Sequence, residues 1–221
     1  MYFLKCYYIE LTMKKIAHRG YTTSYIKENT IEAFTNAINN GFEGIECDVR
    51  ESKDKRLVIC HDASIERTSN GVGMIRNMTL NELETYNFGS KEVPSKIPLL
   101  SDVLKKYKGT MKIIELKSRI DLTSILDLID DDTYFMSFDT SYMFELKKKH
   151  PNLKCGVLNY GLNGEKDYDL DMICILDFVA TDSIVMKFLS RGIKVFIYGI
   201  VGKINYVRDY ENLYYIANHL N

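Results

Sequence analysis

At 221 residues the chain is long enough for one domain with a sizeable core and needs no second. Its formal net charge of −1 supplies no long-range pull toward nucleic acid or an anionic membrane, and no block of like charge exceeds Lys147-Lys148-Lys149. No apolar stretch approaches the ~18 residues that would cross a bilayer, so no integral membrane segment is expected, and five widely spaced cysteines (Cys6, Cys47, Cys60, Cys155, Cys174) read as reduced, buried thiols of a cytoplasmic protein.

Residues 1–13 read as an N-terminal extension, aromatic-rich but interrupted by Lys5 and Glu10, without the long apolar centre or cleavage site of a secretory signal. A domain is expected over 14–221. Its first strand is Lys15–His18, followed by a helix from Thr30 to Asn40 with Ile31, Phe34, Ala37 and Ile38 on one face and Gly41 as a stop. Gly44–Val49 is the second strand. The polar stretch after it is too short for a crossover helix, so Leu57–Cys60 should return as the antiparallel arm of a hairpin. A turn centred on Asp54-Lys55 would set Asp48 opposite His61. Residues 62–98 then break the rhythm, with Gly71, Gly73 and Gly89 and a helical turn at Leu80–Glu84, and read as a small lid-like insertion.

Beyond the insertion, strands are expected at Lys112–Lys117, Tyr134–Phe138, Lys154–Asn159, Asp177–Thr181, Val195–Ile200 and Tyr214–Ala217. Helical stretches lie between them at Leu122–Ile129, Ser141–His150, closed by Pro151, and Ser183–Arg191, closed by Gly192. Strand–helix alternation makes an α/β fold, and eight such strands would close a parallel barrel. Spacing alone leaves a doubly wound open sheet as the alternative.

The chemistry-bearing residues come early. Glu46 and Asp48, two apart on one strand, face the same way, and buried carboxylates of this kind need a cation or Lys/Arg partners nearby. His18 and His61 add two imidazoles, side chains able to take and give protons near neutral pH. Together these four point to metal-assisted hydrolysis of a phosphate ester. Taken singly, each has a bland reading: a structural histidine at a strand end, a solvated acidic face, a Lys117–Asp121 ion pair, or an ordinary lid salt bridge at Arg67.

The ordered set His18-Arg19-Gly20, Glu28-Asn29-Thr30, Glu46-Cys47-Asp48 and His61-Asp62 resembles the glycerophosphodiester phosphodiesterase family. The likeness continues through Glu66-Arg67-Thr68, Gly71-Val72-Gly73, Ile97-Pro98-Leu99, Glu115-Leu116-Lys117 and Ser137-Phe138-Asp139 and spans about Lys14 to Val201. It implies a (β/α)8 TIM barrel with the insertion shaping the mouth, and hydrolysis of a small-molecule glycerophosphodiester to glycerol 3-phosphate and an alcohol. By the same resemblance Glu46, Asp48 and Glu115 hold one divalent cation, an all-oxygen set suited to Mg²⁺ or Ca²⁺. His18 and His61 are the acid–base pair, Arg19 and Lys117 contact the phosphate, and Glu28 with Asn29 orients the site. Tyr198 is a candidate for packing against the substrate. Departures from the family pattern are Lys27 where a proline is usual, Tyr198-Gly199 where an aromatic-Thr pair is common, and Ala217-Asn218 in place of Thr-Asp. Two other outcomes are considered: a phospholipase D-like enzyme acting on lysolipid or sphingolipid headgroups, and a catalytically silent ligand-binding barrel.

Overall fold

The computed structural model describes residues 13–159, 169–200 and 210–218; the extension over 1–12, Cys6 and His219 lie outside them. Among the described residues nine strands form one sheet: β1 Lys15–Ala17, β2 Gly44–Glu51, β3 Leu57–Ile59, β4 Met111–Leu116, β5 Thr133–Ser137, β6 Lys154–Asn159, β7 Met172–Leu176, β8 Lys194–Tyr198 and β9 Leu213–Ala217. Every strand except β3 runs parallel to its neighbours, in the order β1-β9-β8-β7-β6-β5-β4-β2, and β1 pairs with β2 to close the ring. The eight-stranded parallel barrel is therefore formed, and the open sheet is excluded. β3 hangs outside it as an antiparallel partner of β2.

Alternation along the strands sorts the side chains into two layers. Ile16, Ile113, Tyr134, Met136, Leu158, Met172, Cys174, Phe196, Tyr214 and Ile216 fill the barrel interior. The opposite faces, with Ile45, Cys47, Ile114, Phe135, Val157, Ile173, Val195 and Tyr215, pack outward against the helices. These are α1 (Ile31–Asn39), α3 (Leu100–Lys106), α4 (Thr140–Lys149) and α5 (Asp182–Leu189). α1 begins where Thr30 Oγ1 accepts the Ala33 N–H and buries Ala33, Phe34 and Ala37, the spacing of one helical face. The insertion, which carries the short helix α2 (Leu80–Leu83), has its own core of Ile65, Ile75, Leu80, Leu83, Phe88 and Ile97, joined by Val58 and Cys60.

Four elements differ from the expectation. The seventh strand in chain order is Met172–Leu176; the predicted segment beginning at Asp177 is instead a 3-10 turn, Asp177–Val179, that leaves Phe178 exposed. The unbroken apolar run Met-Ile-Cys-Ile-Leu is what a strand covered on both faces requires. Thr123–Leu128 is a 3-10 rather than an α-helix, and the buried pair Leu122 and Ile125 are three apart, the repeat of that tighter turn. α3 was not assigned from sequence, although Leu100, Val103 and Leu104 show helical spacing and are buried.

The hairpin register is also shifted. Val49 pairs with Ile59 and Cys60 N–H donates to Asp48 O at 2.9 Å, so Asp48 faces Cys60 and not His61. The cause is a three-residue loop, Lys53-Asp54-Lys55, between the paired residues Ser52 and Arg56, in place of the two-residue turn assumed. Lys55 takes the left-handed conformation (φ 63°) that ends such a loop. Ser52 Oγ holds the turn, donating to Asp54 and accepting from the Arg56 N–H.

At the closed end of the barrel, Lys112 is fully buried and donates to Tyr107 O (2.9 Å), Thr110 O (2.7 Å) and Asp130 Oδ2 (3.0 Å), tying the end of α3 to the turn before β5. Burial would raise Asp130, but Gly109 N–H, Thr133 hydroxyl and Lys112 outweigh it and hold the carboxyl down at about 2. Its ionised form therefore stabilises the fold above the ordinary aspartate value of 3.8, and that contribution is lost as pH falls toward about 2. Lys112→Met should cost about 3 kcal/mol of unfolding free energy, because it strips one buried and two part-buried acceptors of their shared donor. Urea unfolding at neutral pH measures this, and a loss below about 1 kcal/mol would assign the lysine no structural weight.

Candidate active site

The inward side chains at the C-terminal end of β2 and β4 are acidic. Glu46, Asp48 and Glu115 are 1, 1 and 7 % exposed, Asp48 lies beside Glu115 in the strand register, and one oxygen from each falls within 4.8 Å of the others. Placing three carboxylates in so small a dry volume is costly unless positive charge answers them. Lys117, just beyond β4, supplies part of it through Nζ contacts of 2.8 Å to Asp48 and 2.7 Å to Glu115. The bland Lys117–Asp121 pairing is not formed; Asp121 instead accepts from Thr123.

Arg19, which follows β1 directly through His18, supplies the rest. It sits at φ 56°, with Gly20 after it at φ 83°, where a Cβ would meet Ala33 at 2.6 Å. That turn points the Arg19 N–H at Glu46 Oε2 (3.0 Å) and its Nη1 at Glu28 Oε1 (3.0 Å). Arg19 Nε lies 3.3 Å from Asp48 Oδ2 without making a hydrogen bond, and it is the one buried side-chain nitrogen or oxygen without such a partner among the described residues. Asn29, also left-handed at φ 55°, locks the arrangement: its N–H donates to Arg19 O (2.8 Å) and its Nδ2 to Asp48 Oδ2 (2.8 Å). Two non-glycine residues held in a sparsely populated conformation against the same carboxylates mark a place where geometry is enforced.

The charges respond accordingly. Burial, reinforced by Asp48 and Glu115, pushes Glu46 well above the ordinary glutamate value. Glu115 is raised by burial despite Lys117. For Asp48 burial acts upward too, but Lys117 and Arg19 outweigh it and keep the group ionised below the usual range. An oxygen-only donor set with a surplus of buried negative charge fits a hard divalent cation, Mg²⁺ or Ca²⁺, and offers nothing to a thiophilic metal.

Above the carboxylates opens a cavity of about 280 Å³ whose walls include His18, Arg19, His61, Glu115, Lys117 and Tyr198. Each imidazole reaches it with its Nδ1 occupied. His18 Nδ1 is 2.9 Å from Asn218 Oδ1, an acceptor, which leaves Nε2 as the acceptor nitrogen of the ring. Burial, then the Arg19 charge, lowers the His18 pKa. His61 Nδ1 meets Asp62 Oδ1 at 2.6 Å, and its carbonyl accepts from Arg50 Nε (2.8 Å) and Nη2 (2.6 Å). Arg67 from the insertion grips Asp62 (2.6 and 3.1 Å) and Glu28 (2.8 and 2.9 Å) at once, so one guanidinium joins the carboxylate behind His61 to the carboxylate behind Arg19. Tyr198 lines the far wall with Phe138, Leu158 and Ile216, its hydroxyl donating to Asn159 O at 3.3 Å.

All the residues singled out from sequence thus converge on one end of the barrel, Glu28 standing behind Arg19. Three contributors carried no role beforehand: Asn218, noted only as a departure from the family pattern; Arg67, read as an ordinary lid salt bridge; and Arg50. The last was within reach, since it continues the Glu46, Asp48 alternation along β2.

Comparison with known proteins agrees with this geometry. The model of the glycerophosphoryl diester phosphodiesterase family matches residues 18–210. A glycerophosphodiester phosphodiesterase of Caldanaerobacter subterraneus is 35% identical over 159 residues, covering 65% of this chain and 65% of that protein, so the chain spans just under two thirds of that relative's length. Among solved structures, a glycerophosphodiester phosphodiesterase from Agrobacterium tumefaciens superposes with a TM-score of 0.73 at 26% identity, covering 84% of this chain and 86% of the other. An Oleispira antarctica phosphodiesterase in complex with the product sn-glycerol-3-phosphate superposes with a TM-score of 0.75 at 24% identity, covering 85% and 84%.

Because protons compete with a cation for Glu46 and Glu115, whose pKa values are raised, Ca²⁺ or Mg²⁺ affinity should climb with pH through a window above the ordinary glutamate value of 4.5. Calorimetric titration between about pH 5 and 8 tests this. Glu46→Gln should weaken binding at least about tenfold, and an affinity indifferent to that change would remove Glu46 from the cation site.

Proposed function

The chain belongs to the glycerophosphoryl diester phosphodiesterase family, and from that membership we propose that it hydrolyses glycerophosphodiesters to glycerol 3-phosphate and an alcohol. One observation carries the reading: two imidazoles, each with its Nδ1 engaged, face a single cavity that also presents Arg19, Lys117 and Glu115 of the carboxylate cluster. The product bound to the Oleispira antarctica protein supports the substrate class.

Glu46, Asp48 and Glu115 would hold the divalent cation, which when bound supplies positive charge to offset that of the phosphodiester. Arg19 lines the cavity with its Nε turned to Asp48 and its Nη1 fixed by Glu28, which leaves the rest of the guanidinium to meet a phosphate oxygen. Lys117 adds a point charge beside it. His18 acts as the base. Its Nδ1 is committed to a neutral amide oxygen, and burial and Arg19 disfavour its charged form, so Nε2 is available to take a proton from the attacking hydroxyl, whether the glycerol 2-hydroxyl or water. His61 acts as the acid, because the Asp62 carboxylate gives a counter-charge to its protonated ring; it delivers that proton to the departing alkoxide as the phosphorus–oxygen bond breaks. Buried, unpaired thiols at Cys47, Cys60, Cys155 and Cys174 suit a cytoplasmic location, and no helix among the described residues is long and apolar enough to cross a membrane.

Coupled release of glycerol 3-phosphate, with Mg²⁺, with Ca²⁺ and with chelator, tests the activity directly; turnover that chelator leaves untouched would detach the carboxylate cluster from catalysis. His18→Ala and His61→Ala should each lose on the order of 10²–10⁴-fold in kcat, and retention of more than about a tenth by both would reject the pairing. The pH profile distinguishes the two rings. A base must be unprotonated, and the His18 pKa is lowered from 6.5, so kcat/KM should rise with pH through a midpoint below that value. Asn218→Asp places a negative charge against the same ring and should move this acid limb to higher pH. A limb that stays in place would assign it to another group.

A further inference from the structure

A second cavity, about 570 Å³, lies outside the barrel interior, between the β1–α1 loop and the insertion. Thr22, Thr23, Lys27 and Glu28 form one wall, Arg67–Asn70 the floor, and Asn87 with Gly89–Lys91 the other side. Its walls are preformed. Asn70 and Asn87 are joined twice, N–H to O at 3.1 Å and N–H to Oδ1 at 2.8 Å, and Asn87 braces the 89–95 loop through Ser90 O, Gly89 N–H and Ser95 N–H.

This space adjoins the catalytic cavity through a chain of ion pairs. Glu28, on its wall, holds Arg19, and Arg67, on its floor, holds Asp62 and thereby His61. The acid that protonates the departing oxygen must stand beside the alcohol being released, so the alcohol leaves on the His61 side, and the insertion cavity lies beyond the Asp62–Arg67 pair that holds this ring. The catalytic cavity itself, about 280 Å³ in all and walled in part by Leu158, Ile216, Phe138 and Tyr198, suits the glycerol phosphate half.

We propose that the insertion cavity receives the alcohol half of the substrate, and that it favours an oxygen-rich, neutral or anionic alcohol, such as glycerol or inositol, over a cationic one. The lining supplies donors. The Lys91 ammonium, the Thr22 hydroxyl and the Asn70 Nδ2 have no intramolecular partner among the described residues, and Lys27 Nζ makes one 3.3 Å contact, to Ser24 O. Glu28 is the one carboxylate in the lining, and both of its oxygens are taken by arginine. No aromatic ring is present, so a quaternary ammonium finds neither a free counter-charge nor the ring faces that bind such groups.

The inference rests on the catalytic reading above, and its test separates the two. Using the full chain with its cation, kcat/KM is compared for sn-glycero-3-phosphoglycerol, -phosphoinositol, -phosphocholine and -phosphoethanolamine. The polyol esters should lead by about tenfold or more, the equivalent of one well-placed polar contact. Lys27→Glu combined with Lys91→Glu should erase that lead, acting on KM more than kcat. Equal kcat/KM for all four esters, or a lead that survives the double substitution, would overturn the proposal and return the alcohol to the Phe138 and Tyr198 side. If no ester is hydrolysed, the catalytic reading fails, and saturation-transfer binding of the same four esters still decides the cavity: polyol binding abolished by the double substitution upholds it, and preferred binding of the choline ester overturns it.

Discussion

Three carboxylates buried within hydrogen-bonding distance of a common point govern the rest of this molecule. A dry acidic cluster is tolerable only where positive charge is delivered with little freedom to wander. The chain meets that requirement from three directions: Lys117 from the strand end beside Glu115, Arg19 from the turn after β1, and Asn29 as a neutral donor from the loop before α1. The left-handed backbone at Arg19 and Asn29 and the glycine packed on Ala33 follow from the need to aim those groups at one place. That Glu46 is pushed toward its neutral form marks a cluster short of positive charge, the gap that the proposed divalent cation would fill.

The second layer of the site is electrostatic as well. Arg67 stands on the insertion yet is bound to residues that touch both Arg19 and His61, so the insertion is joined to the catalytic end by charge and not only by packing. The insertion keeps its own small core, and its contact with α1 includes the Ser95 hydroxyl on Glu32. A segment with an independent core can change its surface loops while Arg67 continues to hold Asp62 and Glu28. The arrangement lets the surface of the insertion vary without disturbing the residues held at the barrel mouth.

Much of this was legible in the sequence because it is local. The Glu46–Asp48 alternation, the apolar face of α1 and the order of the His, Glu and Asp motifs each depend on residues a few positions apart, and these survive folding unchanged. The hairpin register was misjudged because one extra loop residue shifts every pairing, and nothing in Lys53-Asp54-Lys55 advertises that a lysine will adopt φ 63°. The strand at Met172–Leu176 lost out to the segment after it because a short apolar run carries no period of its own. Asn218 on His18 and Arg67 on Glu28 were invisible for a different reason: their partners lie 200 and 39 residues away, and such contacts exist only after the barrel has closed.

That closure has a consequence for the order in which the protein becomes competent. β1 is three residues long, and the ring is sealed where its residues 15–17 pair with 215–217 and where two of them pair with β2. Contacts spanning nearly the whole chain carry the largest loop-closure entropy and are favoured late in assembly. The carboxylates and Lys117 come from β2, β4 and the residue beyond it, neighbours that pair directly, whereas the His18 ring is oriented by Asn218, one residue past β9. A chain arrested before β9 docks would hold its acidic cluster but not an oriented His18 ring. The seam between the first and last strands thus acts as a checkpoint: the acidic cluster can gather before the imidazole that faces it is set in place.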